Sequence, residues 1–381
     1  MSEVLVVGMV CTPITKVVRS EAMNFSSISP FLKPQDLALQ GLDALFFQTK
    51  LPRDAVEVFK MGCDVALKHE SMKQAPDREI AIRAGMVNAS SNIVRKACSS
   101  GFLAVKAGAD AIKNGDAEIA VISGLDMMSG VPDAICREML TDPISGKTMA
   151  ELNDIKCREF FTREDCDQYA LKSHRRAWEH RLDYGTYMAP ILIPGNQKLP
   201  TLVYDEDLRE KMTIEKMRRW KLIDSCELTT GANASGYGDG FACMMLTNPE
   251  TAKKYGLRPL AEFLAYAEKS GGEPKNFIAR PVEAAKEVLK KASLAFEAID
   301  SWWIHEAFAG PPLIFMKETG APWWIVNPWG GAIAFRHPLG ESGMGISVRG
   351  IAQCLKEGKK FLGVSLCNAI DSATAGIFKI L

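Results

Sequence analysis

Two residues in this chain are of types that can carry nucleophilic chemistry, and each sits where a turn would present it. Cys98 lies in Arg95-Lys96-Ala97-Cys98-Ser99-Ser100-Gly101-Phe102-Leu103-Ala104-Val105, which reads as a strand ending, a sharp turn and then a helix. Phe102, Val105, Ala109 and Ile112 recur at helical spacing behind it. A cysteine at a helix start feels the positive end of the helix dipole, which favours the thiolate. A buried structural cysteine is the plain alternative. Far downstream, Asn327 to Gly343 (NPWGGAIAFRHPLGESG) sets His337 in a glycine-rich loop ahead of another helix. A thiol and an imidazole, each at a helix start, are the two halves of a Cys–His pair.

The elements that must position this pair follow an alternating pattern. Val4–Val10 reads as a buried strand, Lys33-Pro34 opens a helix carrying Leu37, Leu39, Leu42 and Leu45, and Val56–Gly62 is a further strand. Glu118–Ile122 forms another buried strand after the Asn114-Gly115-Asp116 stop. Alternating strands and helices predict parallel-rich α/β layers. From Leu125 to about Gly236 the character changes to methionines, charges and short amphipathic helices, one opening at Thr162-Arg163-Glu164-Asp165. This stretch reads as an insertion into an α/β core. Its basic run, Lys211 to Arg219, is by default a solvated helix face, with phosphate contact to a nucleotide-bearing substrate as the other option. Strand character returns at Asp239–Leu246. A second series then follows: strand from Leu260, helix from Pro281, strand Ser301–Ile304, histidine loop, helix, and strand Phe361–Leu366. The repeated order predicts an internal duplication, with Cys98 at the turn of one half and His337 at that of the other.

Composition bounds the partners. The chain has 381 residues, 47% of them hydrophobic, enough for two or three domains. Its 46 acidic and 46 basic side chains balance, so it carries no nucleic-acid footprint. Ten cysteines are scattered singly without a Cys-x-x-Cys pair, which argues against a metal site and for reduced thiols in a cytoplasmic setting. No apolar run reaches the span of a bilayer, and the N-terminus lacks the basic flank of a signal peptide. A soluble cytoplasmic protein is expected.

Several stretches resemble the thiolase family, within the thiolase superfamily. Lys96 to Gly101 is similar to the nucleophile motif, and Gly330 to Gly343 resembles the signature around the catalytic histidine. His305-Glu306-Ala307-Phe308-Ala309 looks like the HEAF or NEAF motif, and Asn233 to Gly240 like the exit from the loop domain. Cys367-Asn368-Ala369 stands where the family has Cys-x-Gly, and Val7-Gly8 with Thr12-Pro13-Ile14 fits the family's opening. The resemblance implies a five-layer αβαβα fold of two duplicated βαβαβαββ halves with an inserted loop domain. Residues 1–125 would form the N-terminal half, completed by 237–258. Residues 126–236 would form the loop domain, and 259–381 the C-terminal half. It implies Cys98 as acyl-accepting nucleophile, His337 as its base, Cys367 as acid/base and His305 at the enolate oxyanion hole. Backbone N–H groups of Cys98 and Ala369 would hold the second oxyanion, and Ser235 would touch the pantetheine arm. Coenzyme A is then a co-substrate and no cofactor is tightly bound. A homodimer core is implied, with room for the small zinc-binding OB-fold partner of some divergent members.

Departures from common family members bear on the substrate. The Met128–Thr162 stretch is short and lacks the usual His-Met-Gly-like segment, so the acyl pocket must be walled differently. Phe335-Arg336 precede His337 where small residues are usual, and Trp302, Trp303, Trp323, Trp324 and Trp329 cluster near the catalytic loops. Packing is the default role for the tryptophans, and a backbone carbonyl or acidic side chain is the default partner of Arg336. The sharper expectation has the aromatics, with Phe308 and Phe335, housing a phenyl-type acyl group while Arg336 pairs with a substrate carboxylate. That would suit an aromatic or dicarboxylic 3-oxoacyl-CoA such as 2-benzoylsuccinyl-CoA of anaerobic toluene breakdown, giving benzoyl-CoA and succinyl-CoA. The alternatives are an acetyl-CoA C-acetyltransferase, a condensing ketoacyl synthase, or a non-catalytic thiolase-like scaffold.

Overall fold

The structure, a computed structural model, describes residues 3–381. Its frame is nine strands: β1 (Leu5–Cys11), β2 (Val58–Cys63), β3 (Ser90–Val94), β4 (Ile119–Met127), β5 (Gly238–Thr247), β6 (Ala261–Ser270), β7 (Ser301–Ile304), β8 (Phe361–Asn368) and β9 (Ser372–Ile380). They run in the order β7-β8-β9-β6-β1-β5-β4-β2-β3, with the short Thr15–Lys16 pairing beside β5. Central strands β1, β4 and β5 are buried along their whole length, which is why their sequences are continuous apolar runs rather than alternating ones.

The duplication read from the sequence is visible as mirrored pairing. In the first half β1 lies antiparallel to β5, β5 antiparallel to β4, and β4 and β3 flank β2 in parallel. In the second half β6 lies antiparallel to β9, β9 antiparallel to β8, and β8 parallel to β7. A single parallel bridge from Trp302 to Val326 stands where β3 stands in the first half. The halves join where Leu5 and Val6 of β1 meet Glu262 and Ala261 of β6. Strand β9 was not expected: Ser372 to Gly376 are small and give little hydrophobic signal, although Ala373, Ala375 and Ile377 are buried.

Helices complete five layers. Helix α1 (Pro34–Thr49) covers the outer face of the first half through Leu42 and Leu45, packed with Val121 and Met245. Helix α2 (Ser100–Asn114) follows Cys98 and is closed by Gly115 in the left-handed region. Helices α3 (Met149–Cys157) and α4 (Arg163–Glu179) belong to the middle of the chain, and Thr148 and Thr162 cap them through boxes with Glu151 and Asp165. Helices α5 (Arg280–Ala292) and α6 (Gly310–Thr319) cover the outer face of the second half. Helix α7 (Leu339–Glu357) follows His337. Phe102, Val105, Ile346 and Ile351 of α2 and α7 share one core with Ile122, Met244, Val364 and Leu366 from both halves of the sheet. The two helices that follow Cys98 and His337 are thus the central layer.

Close backbone approach sets this layer. At Gly62 of β2 an added Cβ would stand 2.4 Å from the backbone N of Gly101, and at Gly101 it would stand 2.8 Å from the carbonyl O of Gly340. Strand β2, the first turn of α2 and the first turn of α7 therefore touch through main chain alone. The Gly62→Ala variant is expected to lose roughly 1 to 3 kcal/mol of stability, because the clash is with backbone that cannot step aside. Denaturant unfolding of the two proteins measures it.

Candidate active site

Cys98 sits in a 3-10 turn, Ala97–Ser99, directly before α2. The turn is forced: Ala97 takes φ +43°, and the Ser100 hydroxyl accepts from the Lys96 N–H at 2.8 Å while donating to the Ala97 carbonyl at 2.7 Å. His337 precedes α7, and its own N–H donates to the Gly236 carbonyl at 2.9 Å. Cys98 Sγ and His337 Nε2 lie 3.1 Å apart.

The tautomers can be assigned from the network. The Ser342 hydroxyl donates to the Pro338 carbonyl at 2.8 Å, so its oxygen must accept from His337 Nδ1–H at 2.6 Å. That leaves the His337 Nε2 lone pair facing the thiol. His305 Nε2 is 3.2 Å from the same nitrogen and must carry its own ring proton there. Its Nδ1 is then a bare lone pair, and this buried atom has no partner. The cluster thus offers an acceptor for the Cys98 proton and an N–H donor beside it.

Burial, not the helix dipole, governs the charges. Enclosure holds the Cys98 thiol well above its usual range, with the neighbouring Cys367 and Asp64 adding to the effect. This works against the thiolate that the helix dipole favours, so a partner that takes the proton is needed. Burial pushes Cys367 up to about 12 and His305 down to about 3. His337 lies well below its ordinary value through burial, reinforced by His305. All four groups rest neutral, so charge arises only when a proton moves between them.

His305 and Glu306 are buried and make no surface ion pair. The Glu306 carboxylate accepts from Tyr169 (2.7 Å), Ser173 (2.6 Å), Asn327 (2.8 Å) and the Ile333 N–H (3.3 Å). It ties α4 to the loop that ends in His337. Ser235 donates its hydroxyl to the Ala307 carbonyl at 3.0 Å, and Ala234 bridges to Phe308. The segment 233–237 is held between the HEAF stretch and the histidine loop.

A cavity of about 430 Å³ opens onto these groups, a size that accepts a small acyl chain. Cys98, His337, Cys367, Ala369, Ser235 and Phe308 all border it; His305 reaches it only behind His337. Tyr237 and Phe277 supply further aromatic wall, and Thr148 to Glu151, at the start of α3 within the short 128–162 stretch, also line it.

Two substrate-binding expectations are corrected. Arg336 does not face the cavity: its guanidinium donates to Asp207 at 2.7 and 3.0 Å and to the Tyr237 carbonyl at 3.2 Å, which is the default partner class for a buried arginine. Phe335 is buried in the central core under the Arg349 guanidinium, 4.3 Å from its ring centre. No tryptophan borders the cavity either: Trp302, Trp303 and Trp329 are core residues, while Trp323 and Trp324 are 51% and 61% exposed. Sequence reasoning missed Ser342, five residues after His337, whose role only the folded loop reveals. It also missed Arg19 and Arg137, which line the cavity and share the Asp133 carboxylate (2.8, 2.9 and 2.7 Å). From the basic run, Lys211, Lys216 and Arg219 line an open groove beside Trp220, together with Lys16 and Arg209, which pair with Asp207.

Comparison with known proteins covers the whole chain. The family description "Thiolase, N-terminal domain" matches residues 4–250, and "Thiolase, C-terminal domain" matches 257–380. The chain is similar to an acetyl-CoA acetyltransferase of Yarrowia lipolytica, 30% identical over 98% of this chain and 96% of that protein. A mitochondrial acetyl-CoA acetyltransferase of Bos taurus is 30% identical over 100% of this chain and 92% of its own length. Among solved structures, the Bacillus anthracis acetyl-CoA acetyltransferase superposes with a TM-score of 0.91 at 27% identity, covering 100% and 99% of the two chains. Human mitochondrial 3-ketoacyl-CoA thiolase in complex with CoA gives 0.90 at 24% identity, over 100% and 98%, a likeness of fold.

The Ser342→Ala variant removes the acceptor that fixes the His337 tautomer. Loss of that hydrogen bond, worth about 1.4 kcal/mol, is expected to slow iodoacetamide alkylation of Cys98 about tenfold without unfolding the protein. Mass-spectrometric labelling rates check it.

Proposed function

The chain belongs to the thiolase family, and we propose that it cleaves a 3-oxoacyl-CoA with coenzyme A through an acyl-enzyme on Cys98. The observation that carries this reading is the pair of contacts at His337 Nε2, 3.1 Å to Cys98 Sγ and 3.2 Å to His305 Nε2, at a cavity that Cys367 also borders. His337 takes the Cys98 proton as the sulfur attacks the 3-oxo carbon. The C2–C3 bond then breaks, leaving the acyl group on sulfur and an enolate of the shorter acyl-CoA. His305 Nε2–H and the proton now on His337 Nε2 face the enolate oxygen. Cys367 gives its proton to the enolate carbon. Its thiolate then takes the proton of incoming coenzyme A, whose sulfur displaces the acyl group, and the expelled Cys98 sulfur takes its proton back from His337. Backbone N–H groups of Cys98 and Ala369 hold the oxyanion of the tetrahedral species, and Ser235 lies along the pantetheine path. The same residues run the condensation backward. The five cationic side chains beside Trp220 suit the phosphates and base of the coenzyme A nucleotide.

Within this chemistry the acyl group is aromatic or dicarboxylic, as in 2-benzoylsuccinyl-CoA, the substrate of a route of toluene breakdown. Tyr237, Phe277 and Phe308 offer apolar ring surface. Arg19 and Arg137 carry two positive charges against the one carboxylate of Asp133, and so take the place first given to Arg336. Two acids also border the cavity, Asp224 and Glu151, of which Glu151 is occupied by the Thr148 N–H and hydroxyl. The rival reading, an acetyl-CoA acetyltransferase, draws on the names of the relatives. A homodimer fits β3, a partly exposed strand paired on one side only, just ahead of Cys98. A small zinc-binding OB-fold partner and a cytoplasmic place complete the proposal. Among the described residues no helix is long and apolar enough to cross a membrane.

Coenzyme A-dependent cleavage of acetoacetyl-CoA, a long-chain 3-oxoacyl-CoA and benzoylsuccinyl-CoA tests the reading. Benzoylsuccinyl-CoA should turn over fastest, and Cys98→Ala should abolish all cleavage. Better turnover of acetoacetyl-CoA would sink the aromatic assignment, and undiminished activity of Cys98→Ala the mechanism. Arg19→Ala is expected to raise KM for the acidic substrate about tenfold while leaving that for acetoacetyl-CoA unchanged, since a charge-assisted hydrogen bond contributes on the order of 1.5 kcal/mol or more.

A further inference from the structure

Three ligand atoms that suit one metal converge at the cavity floor. Cys98 Sγ, His305 Nε2 and His337 Nε2 all lie within 4.8 Å of one another. Tetrahedral zinc with Zn–N near 2.0–2.1 Å and Zn–S near 2.3 Å spaces its ligands by roughly 3.3 Å (N···N) and 3.6 Å (N···S). The structure has 3.2 Å between the two imidazole nitrogens and 3.1 Å between His337 Nε2 and the sulfur. The third side, Cys98 Sγ to His305 Nε2, is within 4.8 Å, so side-chain shifts of about one ångström seat an ion of this kind.

We propose that Cys98, His305 and His337 form a reversible site for Zn²⁺, a dead-end state that excludes acyl thioesters from the same sulfur. One thiolate and two imidazoles favour a borderline-soft ion over Mg²⁺ or Ca²⁺. As the S–Zn bond forms, the Cys98 thiol releases its proton to solvent. His305 moves its ring proton from Nε2 to Nδ1, so that the Nε2 lone pair reaches the ion. The fourth position takes a water from the cavity, and nothing is oxidised or reduced. The surroundings make the site a trap rather than a home for a resident metal. Zinc-bound histidines ordinarily donate their second N–H to a fixed acceptor, and His337 does so to Ser342. His305 Nδ1 has no such partner. Its buried N–H would go unpaired in the zinc state, which costs affinity and keeps exchange with solvent chelators open.

Cobalt(II), which reports tetrahedral coordination by its absorption, gives a readout that needs no turnover. Titration of the purified full chain is expected to show a thiolate-to-cobalt charge-transfer band and intense d–d bands, which Zn²⁺ abolishes by displacement. Cys98→Ser should lose the charge-transfer band while keeping the melting curve of the parent. Cys166→Ser should keep it; this control matters because Cys157 and Cys166 form a second buried sulfur pair, 3.7 Å apart. The reverse pattern between the two variants, or no tetrahedral spectrum in the parent, overturns the proposal. In parallel, about 10 μM buffered free Zn²⁺ should raise the apparent KM for acyl-CoA at least tenfold, with full recovery on adding EDTA. A fall in Vmax alone that EDTA fails to restore also counts against it. Because the spectral arm is independent of catalysis, failure of the thiolysis reading and failure of the zinc site remain distinguishable.

Discussion

The structure depends on two helices beginning in the same place. The first turns of α2 and α7 meet through bare backbone, Gly101 against Gly340, with room for no side chain between them. Everything that brings a sulfur to within 3.1 Å of an imidazole follows from that contact, since Cys98 and His337 each sit just before one of these turns. Any residue larger than glycine would push the helices apart, and a shift of about one ångström is enough to cost a proton-transfer pair its alignment. The surrounding layers can be read as devices that hold this contact. Each half of the sheet packs one face on the central helices and gives the other to an outer helix.

Enclosure has a chemical price, and the side chains around the site show how it is met. Desolvation disfavours charge on the half-buried Cys98 thiol and on the two buried imidazoles. Such groups are unreactive alone and effective together, because proton transfer between neighbours creates charge only where a neighbour stabilises it. The charged groups of the region are kept off the reacting atoms. Arg336 is neutralised by Asp207, and Arg349, fully buried, is bound by Asp205 at 2.7 and 2.8 Å. Glu306, whose carboxyl burial pushes above its usual range, spends its oxygens on four donors rather than on substrate.

The fold was legible from residue pattern because its buried strands are continuous apolar runs and its helices start at recognisable caps such as Thr162 with Asp165. The repeat order and the placing of Cys98 and His337 at equivalent turns could be read without coordinates. Strand β9 was hidden because small residues fill it. The wall of the cavity was much less legible. Arg336 looked available because its sequence neighbours are loop residues, and nothing local announces that Asp207, 129 positions away, will claim it. Arg19 and Asp133 meet across 114 positions for the same reason. Short-range patterns determine elements, while specificity is set by side chains whose partners are chosen only once the elements have packed.

The place of β5 in the sheet bears on how the chain is born. It lies between β1 and β4, yet about 110 residues separate it from β4 and about 226 from β1. At ribosomal speeds of about 5–20 residues per second, β4 would wait on the order of five to twenty seconds, and β1 about twice as long, before their shared neighbour emerges. Throughout that interval the nascent first half shows two apolar edges and no central strand to pair them, a template for unwanted β-association. A chain wired in this order completes its first half only after the middle segment has been made.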